Sequence, residues 1–158
     1  MRKILIAILA LAVAVGVPTA VMAASGSASS SLDLQASKFT TTTQTTSSTT
    51  FRAINGLSGL NICALHQVTG ALSVELNGAP ASFRIRFDKG PIMQPGAVRF
   101  VPAGPHDSSS FTFIANVAPL ALIDVHVFNV EWRSPTGRPT TLERGTFNLQ
   151  YEHGTQGC

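Results

Sequence analysis

Leu72-Ser73-Val74-Glu75-Leu76-Asn77-Gly78 is followed, after four residues, by Phe83-Arg84-Ile85-Arg86-Phe87-Asp88. Apolar and polar side chains alternate through both runs, the period of a strand that buries one face and solvates the other. Asn77-Gly78 signals a tight turn, and Asp88-Lys89-Gly90-Pro91 ends the second run. The same period extends outward. Phe111, Phe113 and Ala115 alternate with Thr112 and Asn116; Phe128, Val130 and Trp132 alternate with Asn129, Glu131 and Arg133. Phe147, Leu149 and Tyr151 alternate with Asn148 and Gln150, after a turn at Ser134-Pro135-Thr136-Gly137. Weaker strands fit near 51–54, 60–65 and 97–102. About eight short strands with frequent turn signals and no amphipathic helix predict an all-β fold, an antiparallel, jelly-roll-like β-sandwich. Trp132, Phe128, Phe111 and Phe113 fall on the apolar parity and are expected to pack in its core.

One phase break interrupts this pattern. Ile123, Val125 and Val127 sit on the opposite parity from Phe128, Val130 and Trp132. A strand cannot exchange faces without a bulge, a break or burial on both sides, so a bulge or bend is expected close to His126. The extra apolar stripe would be buried against another copy in a homo-oligomer such as a trimer, or covered within one chain by residues 119–122 or the C-terminal tail.

The N-terminus reads as an address. Met1-Arg2-Lys3 precedes an apolar run from Ile4 to Val17, broken by Gly16 and Pro18 and followed by Val21-Met22-Ala23. This is the layout of a secretory signal peptide over residues 1–23, cut after Ala23. The run of 14 residues is shorter than the ~20 that a spanning helix needs, so no membrane span is expected after processing. Removing the leader leaves 9 Lys+Arg against 8 Asp+Glu. Near-neutral charge removes the main support for a nucleic-acid partner. Arg84, Arg86 and Lys89 then read as the solvated face of a strand. Residues 25–50 hold 16 Ser or Thr among 26 positions. Such a stretch buries too little apolar surface to order itself, so residues 24–48 are assigned to a flexible linker and 49–158 to the sandwich. The Thr-rich second half has strand propensity and leads into the strand at Phe51.

Two cysteines, Cys63 and Cys158, survive export. In an oxidising compartment they most simply form one disulfide, with a bridge between chains through the terminal Cys158 as the alternative. Signatures for other chemistry are missing. The sequence has no Gly-x-Ser-x-Gly, no His-Glu-x-x-His, no phosphate loop and no dinucleotide fingerprint, and no cofactor is expected. The sharpest polar group is Asp124-Val125-His126, whose outer members share one side of a regular strand, with His106-Asp107 in a Pro/Gly-rich loop. These four are weak metal-ligand candidates, because a site needs three or four converging donors.

The order Thr-Thr-Phe, Asn-Gly-Leu, an Arg-rich alternating strand, Ser-Phe-Thr-Phe, then His126 to Ser134 (HVFNVEWRS) resembles small exported bacterial sandwiches. These are related in form to the tumour necrosis factor and complement globular-head jelly rolls. The resemblance covers residues 49–152 and implies a jelly roll capable of forming trimers, with no catalytic residues. The expectation is a secreted, non-enzymatic binding or structural module with an extracellular ligand or surface as partner. A small exported hydrolase or metal-dependent enzyme using His106, Asp107, Asp124 and His126 is the alternative.

Overall fold

The computed structural model describes residues 34–117, 125–154 and 158. The signal peptide, residues 24–33, Ile123 and Asp124 lie outside the described residues, as do residues 119–122. The described chain is all-β, with nine strands: β1 Leu34–Thr40, β2 Gln44–Thr46, β3 Arg52–Ala53, β4 Leu60–Gly78, β5 Ala81–Phe87, β6 Val98–Phe100, β7 Asp107–Asn116, β8 Val125–Arg133 and β9 Thr140–His153. All pairings are antiparallel. Among the described residues no helix is long and apolar enough to cross a membrane.

The strands follow one hydrogen-bonded path, β1-β9-β4-β8-β5-β6. The path folds over where β4 passes between layers. Leu60–Cys63 pair with β8, whereas Gln67–Leu76 pair with β7 on one side, and Ala64 and Val68–Gly78 pair with β9 on the other. We call β1, β2, β9, β7 and the second part of β4 sheet A, and the remainder sheet B. Runs expected as separate strands near 60–65 and 72–76 are therefore one 19-residue strand. Its inward parity persists through Leu60, Ile62, Ala64, Val68, Leu72, Val74 and Leu76, which are all buried. Gly70 lies inside this strand because a Cβ there would come within 3.3–3.4 Å of Leu149, Met93 and Phe147.

The Asn77-Gly78 and Ser134–Gly137 turns do not close hairpins, since β4 does not pair with β5 nor β8 with β9. Each carries the chain from one sheet to the other. Gly78 takes φ +97, and a Cβ there would meet the Pro139 carbonyl at 3.0 Å, so the position favours glycine. The layers meet through aromatic rings. Phe83 of sheet B stacks on Phe111 of sheet A at 6.1 Å, and on Trp132 at 6.4 Å. Trp132, Phe128 and Phe113 are buried, and Phe111 is half-buried against the core. Gln94 bridges Ile114 of β7 while Met93 N donates to Ile85 O of β5, tying the layers at a second side.

Two expectations need correction. The linker does not extend to residue 48: β1 and β2 pair along β9, from Leu34↔Tyr151 to Thr46↔Thr140. Their backbone donors and acceptors are satisfied by a long strand remote in sequence, a contact that local composition cannot reveal. Nor is there a bulge near His126 among the described residues. Pairing of β8 runs without a register shift from Cys63↔Val125 to Leu60↔Phe128 and from Phe87↔Phe128 to Ser82↔Arg133. His126 itself takes the inward position and is buried, while Val125 and Val127 are exposed on the outer side.

The inward histidine is tolerated because it is paired. Its Nδ1 donates to Asp88 Oδ2 at 2.5 Å, and Asp88 Oδ1 accepts from Val127 N at 3.0 Å. Cys63 and Cys158 are joined across 95 residues of sequence, with Cα atoms 6.0 Å apart. The end of β9 already lies beside Cys63, through Ala64↔His153 and a 3.0 Å bond from Gly154 N to Cys63 O.

On the outer face of sheet B, Glu131 is almost fully buried between Arg84 (Nε to Oε2, 2.7 Å) and Arg86. Phe51 sits 4.1 Å from the Arg84 guanidinium and 4.6 Å from that of Arg133, within cation–π range. Burial alone would raise the Glu131 pKa, but the hydrogen bonds and charges of Arg86 and Arg84 outweigh it and hold the carboxyl below 4.5. A depressed folded-state pKa contributes stability that is present above the unfolded value and lost as pH falls through the folded one. Thermal unfolding between pH 7 and 3 is expected to show this loss beginning below about 4.5. Glu131→Gln should remove that component and cost about 1–3 kcal/mol at pH 7, at the lower end because both guanidiniums are partly exposed. An unchanged pH profile in the variant would refute the assignment.

Candidate functional site

The outer face of sheet A is built by strand register. Its strands lie in the order β1, β9, β4, β7, and the outward residues of each line up in rows. Gln35, Gln150, Thr69 and Ile114 form the first row; Ser37, Asn148, Ala71 and Thr112 form the second. Phe39, Thr146, Ser73 and Ser110 form the third, and Arg144, Glu75 and Ser108 the fourth. A depression of about 490 Å³ lies over the first two rows, lined by Gln35, Ser37, Thr69, Thr112, Asn148 and Gln150 around Ala71. Ala71, with a small side chain, lies among them.

All six polar lining residues are uncharged. Among the described residues, none of the six side chains takes part in a side-chain hydrogen bond. Their donors and acceptors face solvent unspent. In the third row Ser73 Oγ and Ser110 Oγ are 2.7 Å apart, and a second hollow of about 140 Å³ continues over Ser73, Ser110 and Thr146 to Glu75 and Arg144. Phe39, at the β1 margin of the third row, is 73% exposed.

At the far end of this face three ligating side chains converge. A register shift between Glu75↔Arg144 and Leu76↔Leu142 leaves Glu143 as an extra residue on β9, and such a bulge re-aims side chains. His106, with φ 58, enters from the loop before β7. One donor atom each of Glu75, His106 and Glu143 lies within 4.8 Å of the others. His106 Nδ1 donates to Glu143 Oε2 at 2.5 Å and is 3.9 Å from Glu75 Oε1. That hydrogen bond, against an opposing effect of burial, holds the Glu143 carboxyl below the usual carboxylate range. Glu75 also accepts from Arg144, at 2.6 Å from Nε and 2.5 Å from Nη2. The set offers two carboxylates and an imidazole to a cation, but Arg144 already supplies a positive charge, and the group reads first as an ion-pair network that fixes the loop before β7.

The four weak metal candidates do not come together among the described residues. Asp107 Oδ2 accepts from Ala103 N at 2.7 Å and Oδ1 from Ser108 N at 2.9 Å, a local loop role. His126 is turned inward to Asp88, and Asp124 lies outside the described residues. Only His106 joins a cluster, with Glu75 and Glu143, which the sequence reading did not single out as ligands. The signal was weak: Glu75 looked like any polar strand position, and a bulge placed Glu143. Arg84 and Arg86 are committed to Glu131.

No family model matches this chain, and a search of curated proteins finds none with significant similarity.

Proposed function

We propose that the chain is an exported, non-enzymatic binding module whose ligand surface is the outer face of sheet A. The observation that carries this reading is the depression lined by six uncharged hydroxyl and amide side chains that make no side-chain hydrogen bond among the described residues. Such a lining is suited to holding and orienting a ligand through many modest bonds. The leader sequence and the Cys63–Cys158 pair support export. The exposed Val125 and Val127 on the opposite sheet supply an apolar stripe for self-association that leaves the sheet A face open.

The test is co-sedimentation of the mature protein with insoluble envelope and matrix material, with the supernatant analysed for released fragments. Retention without release is expected, with Ala71→Arg reducing it by filling the depression. Fragments that accumulate with time would replace the proposal with a hydrolase.

A further inference from the structure

We infer that the sheet A face takes a neutral glycan, with the apolar face of a sugar ring stacked on Phe39 and its hydroxyls bonded to the rows of amide and hydroxyl side chains. This rests on the reading of that face as the binding surface and names its ligand class. A sugar hydroxyl both donates and accepts. So do Gln35, Ser37, Thr69, Thr112, Asn148 and Gln150, taking carbonyl and amino ends together, so pairing needs no fixed polarity. A site that bonds hydroxyls in this way also discriminates strongly against analogues that lack them.

Other ligand classes fit less well. An anionic ligand calls for free Lys or Arg, yet Arg144 is the basic residue of these rows and is held by Glu75. A cationic ligand would have to draw on Glu75 and Glu143, which Arg144 and His106 already occupy. A protein partner calls for a central apolar cluster. The large apolar residues of this face, Phe39 and Ile114, stand instead on opposite outer strands in different rows. The dimensions suit an oligomer rather than a single sugar. Four strands span about 14 Å, successive rows are about 6.7 Å apart, and the two hollows lie side by side, one over the first two rows and one over the last two.

Phe39 gives the inference its sharpest edge. A phenyl ring 73% exposed on an edge strand packs little surface within the fold, so its contribution is available to a ligand. It shares a row with Thr146 on the adjacent strand β9, so a sugar stacked on the ring would lie beside that hydroxyl, and further units of an oligomer could follow the row toward Ser73 and Ser110.

Isothermal titration of the mature protein with neutral oligosaccharides (glucans of differing linkage, mannan, galactan) and a polyuronate control tests this. Saturable binding of at least one neutral oligosaccharide is expected, stronger than that of the polyuronate. Phe39→Ala and Asn148→Ala should each weaken it about tenfold, and Val127→Ser on the other sheet should leave it unchanged. All three positions are exposed, and each variant's melting temperature is compared with that of the parent to exclude misfolding. If no neutral oligosaccharide binds while Ala71→Arg still abolishes retention on envelope material, the ligand class is wrong and the binding face stands. If binding and retention both survive Ala71→Arg and Asn148→Ala, the inference and the proposed surface fall together.

Discussion

Replacing Trp132 with alanine is expected to lower the unfolding free energy by about 3–5 kcal/mol. The indole is 3% exposed and sits near the C-terminal end of β8, opposite Phe83 on one side and Arg52 on the other. It also starts a chain of ring contacts that crosses the sandwich, from Trp132 to Phe83, Phe111 and Phe100 at 6.4, 6.1 and 6.3 Å. Removing the first ring leaves Phe83 without its stacking partner as well as opening a cavity, so both the transfer and the cavity costs apply. Domains of this size have about 5–15 kcal/mol in total, so the variant should unfold at a much lower denaturant midpoint with little change in slope. Phe111→Ala, at a half-buried inner link of the chain of rings, should cost less. A near-neutral Trp132→Ala coupled to loss of ligand retention would move Trp132 from the core to the binding surface.

The strands that bury a full apolar face were legible from sequence. Phe83, Ile85 and Phe87, or Phe128, Val130 and Trp132, announce themselves because the pleat has period two and only one face meets the core. Strands β1 and β2 were hidden by the same rule. Their alternation is carried by Gln, Ser, Lys and Thr, and what holds them is the register with β9 about a hundred positions later. His126 misled for a related reason. The valines on either side are the more hydrophobic residues, yet they face out, and the histidine takes the inner position because Asp88 from the turn after β5 pairs with it. Glu131 shows that an acidic residue on the polar parity can still be buried, given two guanidiniums from the neighbouring strand.

The candidate face was less legible than the fold. Gln35, Asn148, Thr69 and Thr112 have no motif and no spacing in common, and only cross-strand register brings them together. Their neutrality, which makes the face suited to hydroxyl-bearing ligands, is also what removes any signal of charge or periodicity from the sequence. The cluster at its end depends on one bulge and one left-handed residue, neither of which composition can show.

The other large expected effect is loss of the cysteine pair. Cys63→Ser combined with Cys158→Ser should lower stability by about 2–4 kcal/mol while the fold is retained. The cross-link closes a sequence separation of 95 residues, for which the chain-entropy model gives about 4.7 kcal/mol, measured values commonly being smaller. On this account the effect belongs mainly to the unfolded state. In the folded state the same two segments are already held by the Ala64↔His153 pairing and the Gly154–Cys63 backbone bond, so removing the sulfur–sulfur link should leave sheet A in register. The double variant should then show a native far-UV spectrum, a lower denaturant midpoint and a somewhat steeper slope, because its unfolded chain is freer to expand. Non-reducing peptide mapping of the parent should recover Cys63 and Cys158 in one cross-linked peptide from a monomeric chain. A disulfide-linked dimer, or a double variant as stable as the parent, would shift the cysteines' role from closing this loop to joining copies of the protein.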